Sequence, residues 1–374
     1  MKKMLFVYNP RSGKGLIRNQ LSTIVEMFSA ADYDITVYPT KKVMDGCMAV
    51  QNRAEDFDVI VCSGGDGTLD EVVTGLMNSG IRRPIGYIPA GSTNDFAVSV
   101  GIPKPMEMAA KVVVDGATFS CDLGQMNENY FVYVAAFGMF TDVSYQTPQD
   151  LKNMLGHAAY LLEGMKRVGT WKTWNLQITS EEFSGEGEFV FGMITNSSSV
   201  GGIKGITGRN VEMNDGLFEV MLVRNPKNIM HLQEIIAAIV SGKESDNSLV
   251  RFKTRKLEIV SETPVAWTRD GENGGEHTYV VLENLHQAFE ILVKSDSEPQ
   301  KIEALPEGAA EESAAAVEPD DGLDAEYKEV TENLFALGAG LPVSVEQMVQ
   351  ALEHVISEIT AEFAAKLQKD KSER

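Results

Sequence analysis

Apolar runs of four or five residues recur through the first third of the chain. Each is followed by a glycine-rich or polar turn and then by apolar positions at helical spacing. The runs are Met4-Leu5-Phe6-Val7-Tyr8, Ile35-Thr36-Val37-Tyr38, Asp58-Val59-Ile60-Val61-Cys62 and Ile85-Gly86-Tyr87-Ile88. Leu16, Ile17, Leu21, Ile24, Val25 and Phe28 mark one helix face, and Leu69, Val72, Val73 and Leu76 another. Strands that alternate with helices predict an α/β unit with a parallel sheet, whose ligands gather at the carboxyl ends of the strands.

After Asp122 the pattern changes to successive strand-like segments at 130–137, 173–179, 187–195, 217–223, 250–260 and 278–282. Helical spacing interrupts them near 151–167 and 227–240, and the run 288–293 is expected to return to the first unit. The fold class expected is therefore a parallel-sheet α/β domain followed by a mostly antiparallel β-rich domain. The domains expected are 1–124 with 283–294 returning, 125–282, a solvated acidic linker over 295–323, and a C-terminal helical appendage over 324–374. Within the appendage, Tyr327, Val330, Leu334 and Leu337 make one apolar stripe. Val345, Met348, Leu352, Val355, Ile359 and Phe363 make a second, opened by the capping-box pattern Ser344-Val345-Glu346-Gln347. Two such helices are too small to hide their stripes alone; they are expected to form a hairpin that docks on the core or on a second chain.

Charge narrows the partners. The chain of 374 residues carries a net charge of -21, which argues against an electrostatic nucleic-acid binder. Residues 295–374 hold 19 Asp and Glu against 6 Lys and Arg, so the tail carries most of that acidity. Lys14, Arg18, Lys152, Lys166 and Arg167 are candidates for a local basic face, or simply solvated charge. Cys47, Cys62 and Cys121 lack metal-ligand spacing and read as buried free thiols. The apolar run after the basic start ends at Asn9-Pro10, too short for a signal-peptide core, and no window reaches the ~18 apolar residues of a membrane span. A cytoplasmic location, with peripheral contact at the inner membrane face, is the expectation.

Three loops at strand ends carry candidate chemistry. "NPRSGKG" at 9–15 leaves a strand and enters a helix, where amides and the helix N-terminus favour an anion; it lacks the spacing of a Walker A loop. "GGDGTLDEVVTG" at 64–75 repeats that geometry. Its glycines permit close backbone approach, Asp66 is a candidate for Mg2+ or a hydrated ion, and Thr68 resembles an N-cap. "PAGSTNDFA" at 89–97 adds Ser92, Thr93, Asn94 and Asp95. Read singly, each is also an ordinary turn; together at one sheet edge they converge on a nucleotide-sized cleft.

In this order and spacing the three loops resemble the diacylglycerol/lipid kinase family, over about residues 1–294. The resemblance implies ATP contacts from Asn9, Pro10, Arg11, Ser12 and Gly13, from Thr40, from Gly65, Asp66, Gly67, Thr68, Leu69, Asp70 and Glu71, and from Ser92. "NDGLFEV" at 214–220 resembles the family's Asp-Gly-Leu segment and implies a structural Mg2+ held by the Asp215 carboxylate and the carbonyls of Glu212 and Leu217. "RDGENGG" at 269–275 resembles the loop of the catalytic base, which falls on Glu272, with Asp66 linking nucleotide and metal. Two positions depart from the family: Val98 stands where Arg is frequent, and Asp70 and Thr74 stand in a segment that often reads "NEVVNG". The expected activity is transfer of the γ-phosphoryl of ATP, with Mg2+, to a lipid hydroxyl, foremost diacylglycerol. A sphingoid base, another lipid alcohol or NAD remains an alternative acceptor, and a nucleotide-binding regulatory protein without catalysis an alternative of another class. A lipid at the membrane surface is the expected partner, and a homodimer is possible.

Overall fold

The computed structural model describes residues 1–138, 172–201, 203–204, 211–227 and 248–295, together with helical positions His231, Ile235 and Ala238. The expected helix near 151–167, most of the one near 227–240, and the linker and hairpin from 296 onward lie outside the described residues.

Among the described residues, thirteen strands join one sheet. Its first part is parallel: β1 (Lys2–Tyr8) lies between β2 (Tyr33–Pro39) and β3 (Val59–Gly64), and β4 (Ile85–Pro89) follows β3. β3 and β4 are buried along their whole length, as a sheet covered on both faces requires. Helices α1 (Ile17–Ala30) and α3 (Asp66–Ser79) bury Ile17, Ile24 and Phe28, and Leu69, Val72, Val73 and Leu76. Of the other positions expected on the first face, Leu21 and Val25 are partly buried, while Leu16 precedes the helix and is 54% exposed. Helix α2 (Asp45–Arg53) packs against α3, while a short α4 (Asp95–Ser99) and α5 (Met106–Asp115) follow β4.

The second part is antiparallel and β-rich. Strands β5 (Ala117–Met126), β6 (Asn129–Phe131), β7 (Val134–Gly138), β8 (Trp174–Ser180), β9 (Ser184–Thr195), β12 (Phe218–Arg224), β13 (Leu249–Thr254), β14 (Lys256–Arg269) and β15 (Glu272–Val293) build it, with β10 (Ser199–Val200) and β11 (Ile203–Lys204) as a small separate pair. In the run 288–293, Ile291 of β15 pairs in parallel with Ile85 of β4. Several expected runs change. The run 130–137 is two strands, β6 and β7, parted at Val132 and Tyr133. The run 250–260 is two strands broken at Arg255, and 278–282 and 288–293 belong to one strand of 22 residues. A bulge between Leu285 and Phe289 lets that strand follow β5 from one part into the other. A separate apolar cluster, built around Phe137, Trp174, Phe189, Phe218 and Trp267, fills the antiparallel part.

Candidate active site

The three loops meet at the carboxyl ends of β1, β3 and β4. Asn9 donates its backbone N–H to Ser63 O at 2.9 Å, and its side chain accepts the Arg11 N–H at 3.0 Å, folding the first loop back on itself. Ala90 donates to Gly64 O at 2.7 Å, and Tyr87 Oη donates to the same carbonyl at 3.2 Å. The loops approach closely enough that side chains are excluded. Gly13 has φ +52°, and a Cβ there would lie 1.7 Å from Ala90 O; a Cβ on Gly91 would lie 2.7 Å from Gly65 Cα. Asn94, also left-handed at φ 55°, ties its loop by accepting the Gly91 N–H and donating to Gly91 O, both at 2.8 Å.

Gly65, not Thr68, caps α3, so Asp66 is already the first helical residue. Its neighbours are acidic. Asp66 Oδ2 accepts the Asp95 backbone N–H at 3.3 Å, and burial, then the charges of Asp95 and Asp270, push its carboxyl up to about 7. Asp70, one turn on, is pushed well above the carboxylate range by burial and by Asp270, against the pull of Arg269. Asp270 is 6% exposed at φ 48°. Its carboxylate accepts the N–H groups of Val132 (2.5 Å), Tyr133 (3.0 Å) and Val134 (2.9 Å), yet burial still raises it to about 6. Asp95 is 1% exposed, taking Ser199 Oγ–H at 2.7 Å and the Gly201 N–H at 2.9 Å. Two residues past Asp270, Glu272 opens β15 on the surface; a Cβ on Gly67 would stand 3.8 Å from Glu272 Oε1. The carboxylate expected from the distant loop at 269–275 therefore stands beside the first turn of α3.

The other expected nucleotide residues divide by position. Thr40 closes β2 with its N–H on Tyr8 O at 2.9 Å, and Ser92 is exposed on the third loop. Leu69 buries its side chain in the core. Both Glu71 oxygens are taken by backbone N–H groups at the start of α2, Met44 at 2.8 Å and Gly46 at 2.9 Å.

The fit of a divalent cation differs between its two expected places. Asp66 Oδ1 and Asp70 Oδ1 are buried without a hydrogen-bond partner, as is Ser63 Oγ near the end of β3. Orphaned carboxylate oxygens of this kind suit a hard cation. Asp215 has different company: its Oδ1 accepts the Leu217 N–H at 2.9 Å, and its Oδ2 lies 3.2 Å from Lys253 Nζ, which is also 3.0 Å from Glu219 Oε1. One ammonium already stands between these two acidic side chains. Among the described residues no cluster of three or more His, Cys, Asp or Glu forms a metal cage.

Asp270 carries no mark in the sequence beyond its place in "RDGENGG", and Asp95 none beyond a polar loop. A buried aspartate before Gly-Glu and one after Asn are the only signals, and neither shows which amides the carboxylate will meet.

Residues 3–126 match the diacylglycerol kinase catalytic domain, and residues 134–293 match the YegS C-terminal NAD kinase beta sandwich-like domain. A diacylglycerol kinase of Bacillus subtilis is 31% identical over 277 residues, covering 74% of this chain and 91% of the relative. One of Staphylococcus saprophyticus is 30% identical over 303 residues, 80% of this chain and 98% of its own. The solved structure of a diacylglycerol kinase from Bacillus anthracis superposes with a TM-score of 0.62 at 25% identity, over 78% of this chain and 97% of that one. The match spans both parts of the sheet and every loop that meets at its carboxyl edge, so the chain belongs to the diacylglycerol kinase family and is a lipid kinase.

Proposed function

We propose that this lipid kinase moves the γ-phosphoryl group of ATP to the hydroxyl of diacylglycerol, giving phosphatidic acid, with Glu272 as the base. The observation that carries the reading is the approach of Glu272 Oε1 to Gly67, which sets an exposed carboxylate at the N-terminus of α3. Backbone amides of the loops at 9–13 and 65–68 orient the phosphates, and the positive end of α3 favours their charge. A divalent cation held by Asp66 and Asp70 supplies further charge neutralisation when bound. Glu272 accepts the acceptor hydroxyl's proton as the oxygen attacks, and ADP leaves. Asp270 holds the strand start at 132–134 and with it the turn that presents Glu272. We assign the nucleotide unit to 1–124 with 283–294 and the lipid unit to 125–282, so that the site lies where β15 joins them. The lipid is met at a membrane surface, and among the described residues no helix is long and apolar enough to cross one.

The test is the full chain with γ-labelled ATP, Mg2+ and dispersed diacylglycerol. Labelled phosphatidic acid is expected, and Glu272→Gln should keep ATP affinity while losing about 10²–10⁴-fold in kcat. Turnover that survives Glu272→Gln removes the base; label appearing only on a sphingoid base or on NAD removes the acceptor.

A further inference from the structure

At the opposite edge of the parallel strands lies a cavity of about 400 Å³ that the reaction does not use. The residues just before β4 and the bulge of β15 enclose it, with Leu76, Met77, Leu285 and Phe289 as apolar walls. Arg82, Arg83 and Arg255 line the same cavity, against one carboxylate, Glu290. Two of these guanidinium groups are only lightly engaged. Arg82 Nη2 reaches Gln287 O at 3.4 Å, and Arg255, 67% exposed, is 3.9 Å from Glu283. Arg83 is anchored in the wall by Phe57 O at 2.5 Å and Arg82 O at 2.9 Å. Apolar walls with spare arginine donors call for an occupant that is amphipathic and acidic.

We infer that the chain supplies this occupant itself: the segment 324–337 docks in the arginine-lined cavity at the amino edge of β4. Its apolar stripe, Tyr327, Val330, Leu334 and Leu337, is interleaved with Asp324, Glu326, Glu329 and Glu332. That pairing complements both the walls and the guanidiniums. The reach is right. β15 lines the cavity as far as Glu290, and the exit is fixed at Ser295, whose Oγ donates to Asp115 O at 3.0 Å. Five extended residues from Glu290 to Ser295 span roughly 17 Å, a distance well within the reach of the 28 residues over 296–323. A tether long enough to reach favours the chain's own segment over a second copy. The matched family domains end at residue 293, so this contact is a property of the extension. Docking also bears on charge: the segment carries four of the extension's 19 acidic residues, and binding it before β4 keeps those four away from the loops after β4, where ATP enters.

Cross-linking of the full chain tests the contact. Arg82→Lys and Arg255→Lys keep the charge and add an amine that carbodiimide joins to a nearby carboxylate. The expected result is a cross-link from each introduced amine to Asp324, Glu326, Glu329 or Glu332, its yield falling several-fold in 1 M salt, where the screening length is about 3 Å. Links to Glu283 or Glu290 alone overturn the assignment. With mixed heavy- and light-isotope chains the links should stay within one isotope; mixed links overturn it in favour of a second copy. Independently, Arg82→Glu combined with Arg255→Glu should speed amide exchange across 324–337 by about tenfold or more, with circular dichroism unchanged. Exchange that does not respond overturns the proposal. So does protection of 285–290 that appears only when phosphatidylglycerol vesicles are added, which makes the cavity a lipid site instead.

Discussion

The Asp95 backbone N–H donates to Asp66 Oδ2, while the Asp95 carboxylate is taken by Ser199 and Gly201 of the antiparallel part. The second and third loops are thereby joined to each other and to the antiparallel part. The arrangement leaves Asp66 among Asp95 and Asp270, with its carboxyl raised from 3.8 to about 7 by burial and by those charges. A carboxyl that binds its proton more tightly folded than unfolded adds stability that is complete below pH 3.8 and is lost as pH rises through 7. Without nucleotide and metal, Asp66→Asn should flatten the decline in Tm between pH 4 and 7 and melt above the parent at pH 8. Equal slopes in the two proteins would show that Asp66 titrates normally. Asp270 and Glu219 are raised in the same direction, so a shallower decline should remain.

Asp270 acts on the reaction through position. Three backbone N–H groups from 132–134 converge on its carboxylate, and Glu272 follows two residues later. Asp270→Asn removes the charge and turns one donor against those amides; a stability loss on the order of 3 kcal/mol is expected from charge-assisted bonds of this kind. Because the turn carrying Glu272 loosens, kcat should fall while KM for ATP stays within about twofold, a split that nucleotide-loop damage would not give. Steady-state kinetics beside urea denaturation checks both. An unchanged kcat with reduced stability leaves Asp270 purely structural.

Much of this was legible in the sequence. The runs ending at Tyr8, Cys62 and Ile88 are central strands, and the loops after them do share one edge, because a parallel βα pattern puts every such loop on the same side. Glu272 was reached through its family motif, and its approach to Gly67 depends on a strand that periodicity broke in two. The bulge at Leu285–Phe289 interrupts the alternation, so one 22-residue strand reads as two short ones. Asp95 and Asp270 were missed as hubs because their partners are backbone amides and serines about 100 or more residues away in sequence, which no local pattern encodes. Lys253 stood inside an unremarkable strand, and only the pairing of β12 with β13 sets Lys253 opposite Glu219.

Gly13 is where loop convergence should be most sensitive. Any side chain there meets Ala90 O from the third loop, and the backbone is left-handed besides. Gly13→Ala must open the first loop away from the third, at a cost of about 1–3 kcal/mol. ATP affinity, read by calorimetry, should drop tenfold or more, with the β-rich part intact by near-ultraviolet circular dichroism of Trp174 and Trp267. Parent-like affinity would mean that the first loop does not help hold the phosphates.

Lys253 supplies the positive charge shared by Asp215 and Glu219. Glu219 is 5% exposed, and burial holds its carboxyl up at about 7 even with the ammonium 3.0 Å away. Removing the cation leaves that carboxylate buried and alone, so Lys253→Met should cost about 3–5 kcal/mol at pH 8. The loss should shrink as pH falls toward 7, because Lys253 holds the Glu219 carboxyl down to about 7 in the parent and without it Glu219 takes up its proton at higher pH. Adding Glu219→Gln to Lys253→Met should recover most of the stability at pH 8 and little at pH 6. Urea denaturation of the three variants at both pH values decides the matter: a cost that is the same at pH 6 and pH 8, or that Glu219→Gln leaves in place, assigns the role of Lys253 to packing of its alkyl chain and leaves its charge without one.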